Sequence, residues 1–67
     1  MKINVELCAD REANTASLIF SSEKGRSLVT VPVSFGGELV ATITFTPQGK
    51  LVELELLDLS VQLPKVS

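Results

Sequence analysis

An all-β fold is predicted by this sequence: a small antiparallel meander of about five strands, rolled up or packed as a dimer, with a short C-terminal helical turn as the β-rich variant. Three observations carry it. Apolar and polar residues alternate with a period of two in successive runs, the pattern of half-buried strands. The connections between runs are short and rich in turn-forming residues such as Gly25, Gly36, Gly37, Pro47 and Gly49. No amphipathic helix long enough to cover a sheet is present.

The first strand is expected over residues 2–8, where Ile3, Val5 and Leu7 alternate with Lys2, Asn4 and Glu6. Residues 9–14 are too short and polar for a stable helix, and read as a loop or a single turn capped by Asp10. Residues 15–21 form the second strand, with Ala16, Leu18 and Phe20 on one face and Ile19 as the apolar exception on the other. A turn at residues 22–26 leads to a third strand over 27–33, with Val29, Val31 and Val33 in phase. Pro32 cannot donate a ladder hydrogen bond, so that strand belongs at an edge, with Pro32 on its unpaired side, or carries a bulge. Residues 34–38 read as a flexible connection, with Phe35 over one end of the core and Gly36-Gly37 as a turn.

The hairpin that follows is the clearest signal. Leu39, Ala41, Ile43 and Phe45 alternate with Val40, Thr42 and Thr44, and Pro47-Gln48-Gly49-Lys50 supplies the turn. Val52, Leu54 and Leu56 then oppose Glu53 and Glu55. At Leu56-Leu57 the phase breaks, which marks a bulge or the end of the strand. Residues 58–64 read as a strand or irregular tail; the other reading is a short helix over residues 56–63, in which Leu56, Leu59 and Leu63 share a face until Pro64 stops it.

At 67 residues the chain is a single domain, in a size range that usually needs a disulfide, a metal or a second subunit. A lone Cys8 and no His rule out an internal disulfide and an ordinary structural zinc site. The inward positions from Ile3, Val5 and Leu7 through Leu39 to Leu56 fall on one apolar face, and a second sheet to cover it could come only from another copy of the chain. A homodimer is therefore expected, with contacts at Pro32, Leu57, Leu59, Val61 and Leu63. A net charge of −2, with Lys and Arg spread singly, leaves no basic stripe for nucleic acid or anionic lipid. No apolar run reaches the roughly 20 residues that span a bilayer, and no signal-peptide core follows Met1. The expectation is a cytoplasmic protein with a reduced thiol.

Catalytic residues are not expected. There is no His or Tyr, and general acid or base chemistry near neutral pH usually needs such a group. Glu53 and Glu55 project from the same strand face, which reads as a solvated surface. Asp10, Glu12 and Asn14 mimic the first half of a calcium loop, but Thr15 replaces the bend glycine and Ser21 the closing glutamate. Cys8 has no identifiable activating neighbour in the sequence.

The acidic loop Asp10-Arg11-Glu12-Ala13-Asn14, the strand Ala16-Ser17-Leu18-Ile19-Phe20, and the closing run from Gly49-Lys50 to Leu57-Asp58-Leu59-Ser60 resemble domain-of-unknown-function family 2283, a group of small bacterial proteins. The chain departs from the family in having Thr44, Thr46 and Gln48 where acidic residues precede the Gly-Lys turn, and Ile19 or Phe20 in place of a Tyr. The resemblance implies a small β-rich fold without established activity, and an antitoxin-like role, since some relatives are suspected of pairing with toxin-like neighbours. The leading functional expectation is a non-catalytic, homo-oligomeric interaction module, with a second protein binding along a strand edge. The alternative is a small-molecule or divalent-metal site built from Asp10, Glu12, Glu53, Glu55 and Asp58. No cofactor, nucleic acid or membrane is expected to bind.

Overall fold

A computed structural model of the chain describes residues 1–21 and 27–62. Five strands and one short helix follow in order: β1 (Glu6–Asp10), β2 (Thr15–Ile19), β3 (Val29–Phe35), β4 (Glu38–Phe45), β5 (Leu51–Leu56) and α1 (Leu59–Gln62). All neighbouring strands are antiparallel. The β-rich expectation with a C-terminal helical turn holds. The expected turn at residues 22–26 and the interface position Leu63 lie outside the described residues.

The strand order is β1-β2-β5-β4-β3, so the sheet is not a simple meander. Strands β3, β4 and β5 follow one another as hairpins, and β2 lies beside β5, which is a Greek-key arrangement. Pro32 explains why β2 does not pair with β3. The Leu57 N–H bonds the Val40 carbonyl at 3.0 Å, so the main-chain groups of Thr42, two residues on, also point toward β5. Pro32 lies opposite Thr42, and its donorless nitrogen therefore faces away from β4. A strand docked there would lack a ladder bond.

Pairing, rather than alternation, decides where strands begin. Glu6 is the first residue with a partner, Ile19, so β1 starts there and not at residue 2, and Ile3 and Val5 precede the sheet. β3 runs on to Phe35 because Gly36 (φ 63°) and Gly37 (φ 84°) reverse the chain in two residues, with Phe35 opposite Glu38. Positive φ at both positions makes this a tight hairpin turn, not a flexible connection. Phe35 is 82% exposed, so it does not cap a core.

Two bulges adjust the register. On β4 the pairing skips Val40, and on β5 it skips Val52, whose carbonyl accepts the Phe20 N–H at 2.9 Å and the Ser21 N–H at 3.3 Å. The β4–β5 turn closes around Thr46, a buried residue with all its main-chain and side-chain oxygens in use. Its N–H donates to the Lys50 carbonyl, its carbonyl accepts the Gly49 N–H, and its Oγ1 accepts the Lys50 N–H at 3.1 Å. β5 ends at Leu56, where the sequence phase breaks.

A side chain added at Gly37 would meet nothing within 4 Å, so the penalty there is one of backbone conformation alone. Gly37→Ala is expected to cost about 1–2 kcal/mol, and Gly36→Asn, which builds the favoured Asn-Gly pair, to be nearly neutral. Urea midpoints of the two variants check this.

Candidate interaction surface

Residues opposite one another in an antiparallel register share a face, so the sheet reads as rows across its strands. Leu7, Leu18, Leu54, Ile43 and Val31 form one row. Ala9, Ala16, Leu56, Ala41 and Val33 form the next, about 7 Å along the strands. On the other side of the Leu54 row stand Phe45 and Val29, opposite each other, and Phe20, which continues the phase of β2. These positions carry no charged or polar residue, and they make one continuous apolar face.

Among the residues of these rows only Ala16 and Ala41 are buried, and the large side chains stay half-buried or exposed. The buried hydrophobic residues are Ala16, Ala41 and Val52, and no large side chain is fully buried. Leu7 stands 67% exposed, Val29 50% and Val31 42%. The surface totals 5623 Å², against about 4,100 Å² for a compact chain of this mass. The radius of gyration is 13.0 Å, against about 11 Å for a compact domain of this length. Both excesses fit a single layer preceded by an exposed N-terminal segment. Of the positions expected to face inward, Ile3, Val5 and Leu39 are exposed as well.

The opposite face is polar. Glu6, Ile19, Glu53, Thr44 and Thr30 form one row, and Cys8, Ser17, Glu55, Thr42 and Pro32 the other. Thr30 and Thr44 share a hydroxyl hydrogen bond of 3.2 Å, and Thr42 Oγ1 donates to Glu55 Oε1 at 3.5 Å. Glu53 and Glu55 do share a face on the central strand, as their spacing predicts. Cys8 is exposed on β1, and its Sγ donates to Glu6 Oε1 at 3.4 Å. That bond holds the thiol above its ordinary pKa, and partial desolvation and the charges of Glu6 and Glu53 push it the same way.

At one end of the sheet, the loop after β1 and the segment after β5 are tied together. Asp10 Oδ1 accepts the Glu12 and Ala13 N–H groups at 3.0 and 3.1 Å, the capped turn that its sequence position predicts. Asn14 and Asp58 both have left-handed backbones, with φ of 57° and 53°. The Asn14 side-chain amide donates to Asp58 Oδ1 at 2.8 Å and to Ser60 Oγ at 3.2 Å, and its Oδ1 accepts the Ser60 N–H at 3.1 Å. The Leu59 N–H bonds the Asn14 carbonyl at 2.9 Å, and Ser60 Oγ donates to Asp58 Oδ1 at 3.2 Å. This network anchors α1, so the motif Leu57-Asp58-Leu59-Ser60 acts as a structural lock. Sequence reasoning missed Asn14 in this role, although an Asn before a strand together with an Asp-x-Ser run is a capping signal.

The carboxylates Asp10, Glu12, Glu53, Glu55 and Asp58 are dispersed: among the described residues no group of three or more potential ligands comes together. Of the expected contact positions, Pro32 is exposed on the β3 edge, Leu57 and Leu59 are half-buried, and Val61 is exposed on α1. No described helix is long and apolar enough to cross a membrane. No family model, curated protein or solved structure matches this chain. The likeness to family 2283 therefore rests on the sequence motif alone.

Two outcomes follow from these geometries. Asn14→Asp removes a donor shared by Asp58 and Ser60 and sets one carboxylate against another, and is expected to lower stability by about 1–2 kcal/mol, read from denaturant midpoints. Glu6→Ala removes both the bond and the charge that raise the Cys8 pKa, so thiol alkylation near pH 8 is expected to run faster than in the parent.

Proposed function

We propose that this chain is a non-catalytic protein-interaction module of the cytoplasm that works as a homo-oligomer, in its simplest form a homodimer. The observation that supports it is the apolar face, whose large side chains stay half-buried or exposed. Full burial of a Val, Leu, Ile or Phe side chain is worth roughly 1.5–3 kcal/mol, and small domains keep only about 5–15 kcal/mol of net stability. A five-stranded sheet that leaves such a face in water forgoes a large part of that. A protein surface is the partner that restores it, because the face offers no polar group to orient a metabolite, and the carboxylates are spread over the other side and the loops.

Solution mass tests this. Light scattering or sedimentation from roughly 100 μM downward is expected to give twice the chain mass, with a thermal midpoint that rises with protein concentration, as mass action requires for a fold stabilised by association. A single-chain mass at every concentration, with a midpoint independent of concentration, would overturn the reading.

A further inference from the structure

We infer that two copies of the chain pack apolar face to apolar face as a two-layer sandwich, with the two-fold axis lying between the sheets and running across the strands. The inference rests on the self-association proposed above and names the surface and geometry that carry it.

Area selects the face. The chain exposes 5623 Å², about 1,500 Å² more than a compact chain of its mass, whereas an ordinary stable interface removes about 800 Å² from each partner. The exposed residues before β1 contribute to this excess, which still leaves room for an interface of that size. Pairing edge to edge through β1 or β3 would extend the sheet and leave the apolar face as bare as before. Pairing the polar faces would bring Glu6, Glu53 and Glu55 of the two copies together in a shrinking layer of water.

Shape selects the axis. A two-fold interface must fit itself, because the same patch is used twice. This face is bulkier at one end of its strands, at Phe20, Phe45 and Val29, and shallower at the other, where Ala9, Ala16 and Ala41 stand in one row with Leu56 and Val33. Rotation about an axis across the strands lays the bulky end of each copy over the shallow end of the other, and the two Leu54 rows meet near the middle. The layers then stay evenly spaced at about 10 Å. An axis along the strands would set bulky on bulky and open a void at the other end.

In this arrangement each strand crosses over its own copy, and Cys8 lies on the outside of the sandwich. Its thiol is the only one in the chain, so a nitroxide label at Cys8 reports the geometry without any substitution. Two sheets about 10 Å apart, with label arms directed away from each other, give a label separation of about 25 Å. A dimer through the β1 edges would bring the labels within about 15 Å, and one through the β3 edges would hold them roughly 40 Å or more apart, given strand spacings of about 4.8 Å.

The experiment is a pulsed dipolar distance measurement on the labelled full chain, with Leu7→Glu and Val31→Glu compared against Thr30→Glu by sedimentation. Leu7, Thr30 and Val31 are already exposed in the single chain, so none of the three variants needs the fold to change. The expected result is a separation near 25 Å and a dissociation constant raised at least about tenfold by Leu7→Glu and by Val31→Glu but not by Thr30→Glu. A dimer with label distances in either edge range, or one disturbed by Thr30→Glu and by changes at Pro32, Leu59 or Val61 instead, overturns the face-to-face mode and leaves the homo-oligomer standing. A monomer throughout overturns both.

Discussion

The structure depends on one constraint: a single β-sheet has two faces, and only one of them can be dissolved. The register distributes the residues accordingly. A slip of one residue between any two strands would move a whole set of side chains to the wrong face, and in four successive pairings none does: Leu7, Leu18, Leu54, Ile43 and Val31 stay in line across five strands. The bulges at Val40 and Val52 sit at the ends of this aligned block, where they change the local twist without disturbing the rows. A sequence that maintains such alignment across the full width of a sheet specifies an apolar plane, and an apolar plane needs a cover.

Neighbour order follows from a second, smaller constraint. Pro32 leaves the outer side of β3 one ladder bond short, which disfavours growth of the sheet there. β2 must find its partner elsewhere, and β5 has a free side once β4 has taken the other. This places β5, the strand carrying Val52, Leu54 and Leu56, at the centre, where both its edges are paired. At the opposite margin, β1 is short and carries Glu6 and Asp10. Short length and charge are how exposed strand edges usually avoid indiscriminate pairing. Both margins are thus discouraged from association, while the broad face is not.

The strands were legible because alternation is a local property. Each of the five runs reveals its own phase without knowledge of its neighbours, and the same holds for the Asp10 cap and the strand end at Leu56. Strand limits were not legible. Ile3 and Val5 alternate as well as Leu7 does, but no partner lies opposite them, and the sequence around Phe35 reads as a loop because the two-residue reversal at Gly36 and Gly37 depends on their backbone conformation. The order β2-β5 was hidden for the same reason, since a period of two says nothing about which strand is adjacent. The expected contact positions were drawn toward Leu57, Leu59 and Val61 by their apolar spacing, yet Leu57 and Leu59 are half-buried within the chain itself. The bonds from Asn14 to Asp58 and Ser60 join positions 44 and 46 residues apart, a distance no local pattern reveals.

That lock also changes what the family likeness can mean. The residues that carry it lie in the loop after β1, in β2 and in the run from Gly49 to Ser60. In the structure two of these segments meet at one end of β5, where Asp10 caps the loop and Asn14 leaves it to hold Asp58 and Ser60, while at the other end Gly49, with φ of 88°, lets the turn close on Thr46. Every one of these roles is architectural. A chain of this size has little core to hold its ends together; it has a single cysteine and, among the described residues, no cluster of metal ligands, and a compact hydrogen-bonded network between a hairpin turn and the last element serves as the staple. The motif therefore reports how the sheet is built and fastened. The apolar face, by contrast, extends outside the motif to Ile43, Val31, Leu7 and Phe45, whose shared property is that water is the wrong neighbour for them.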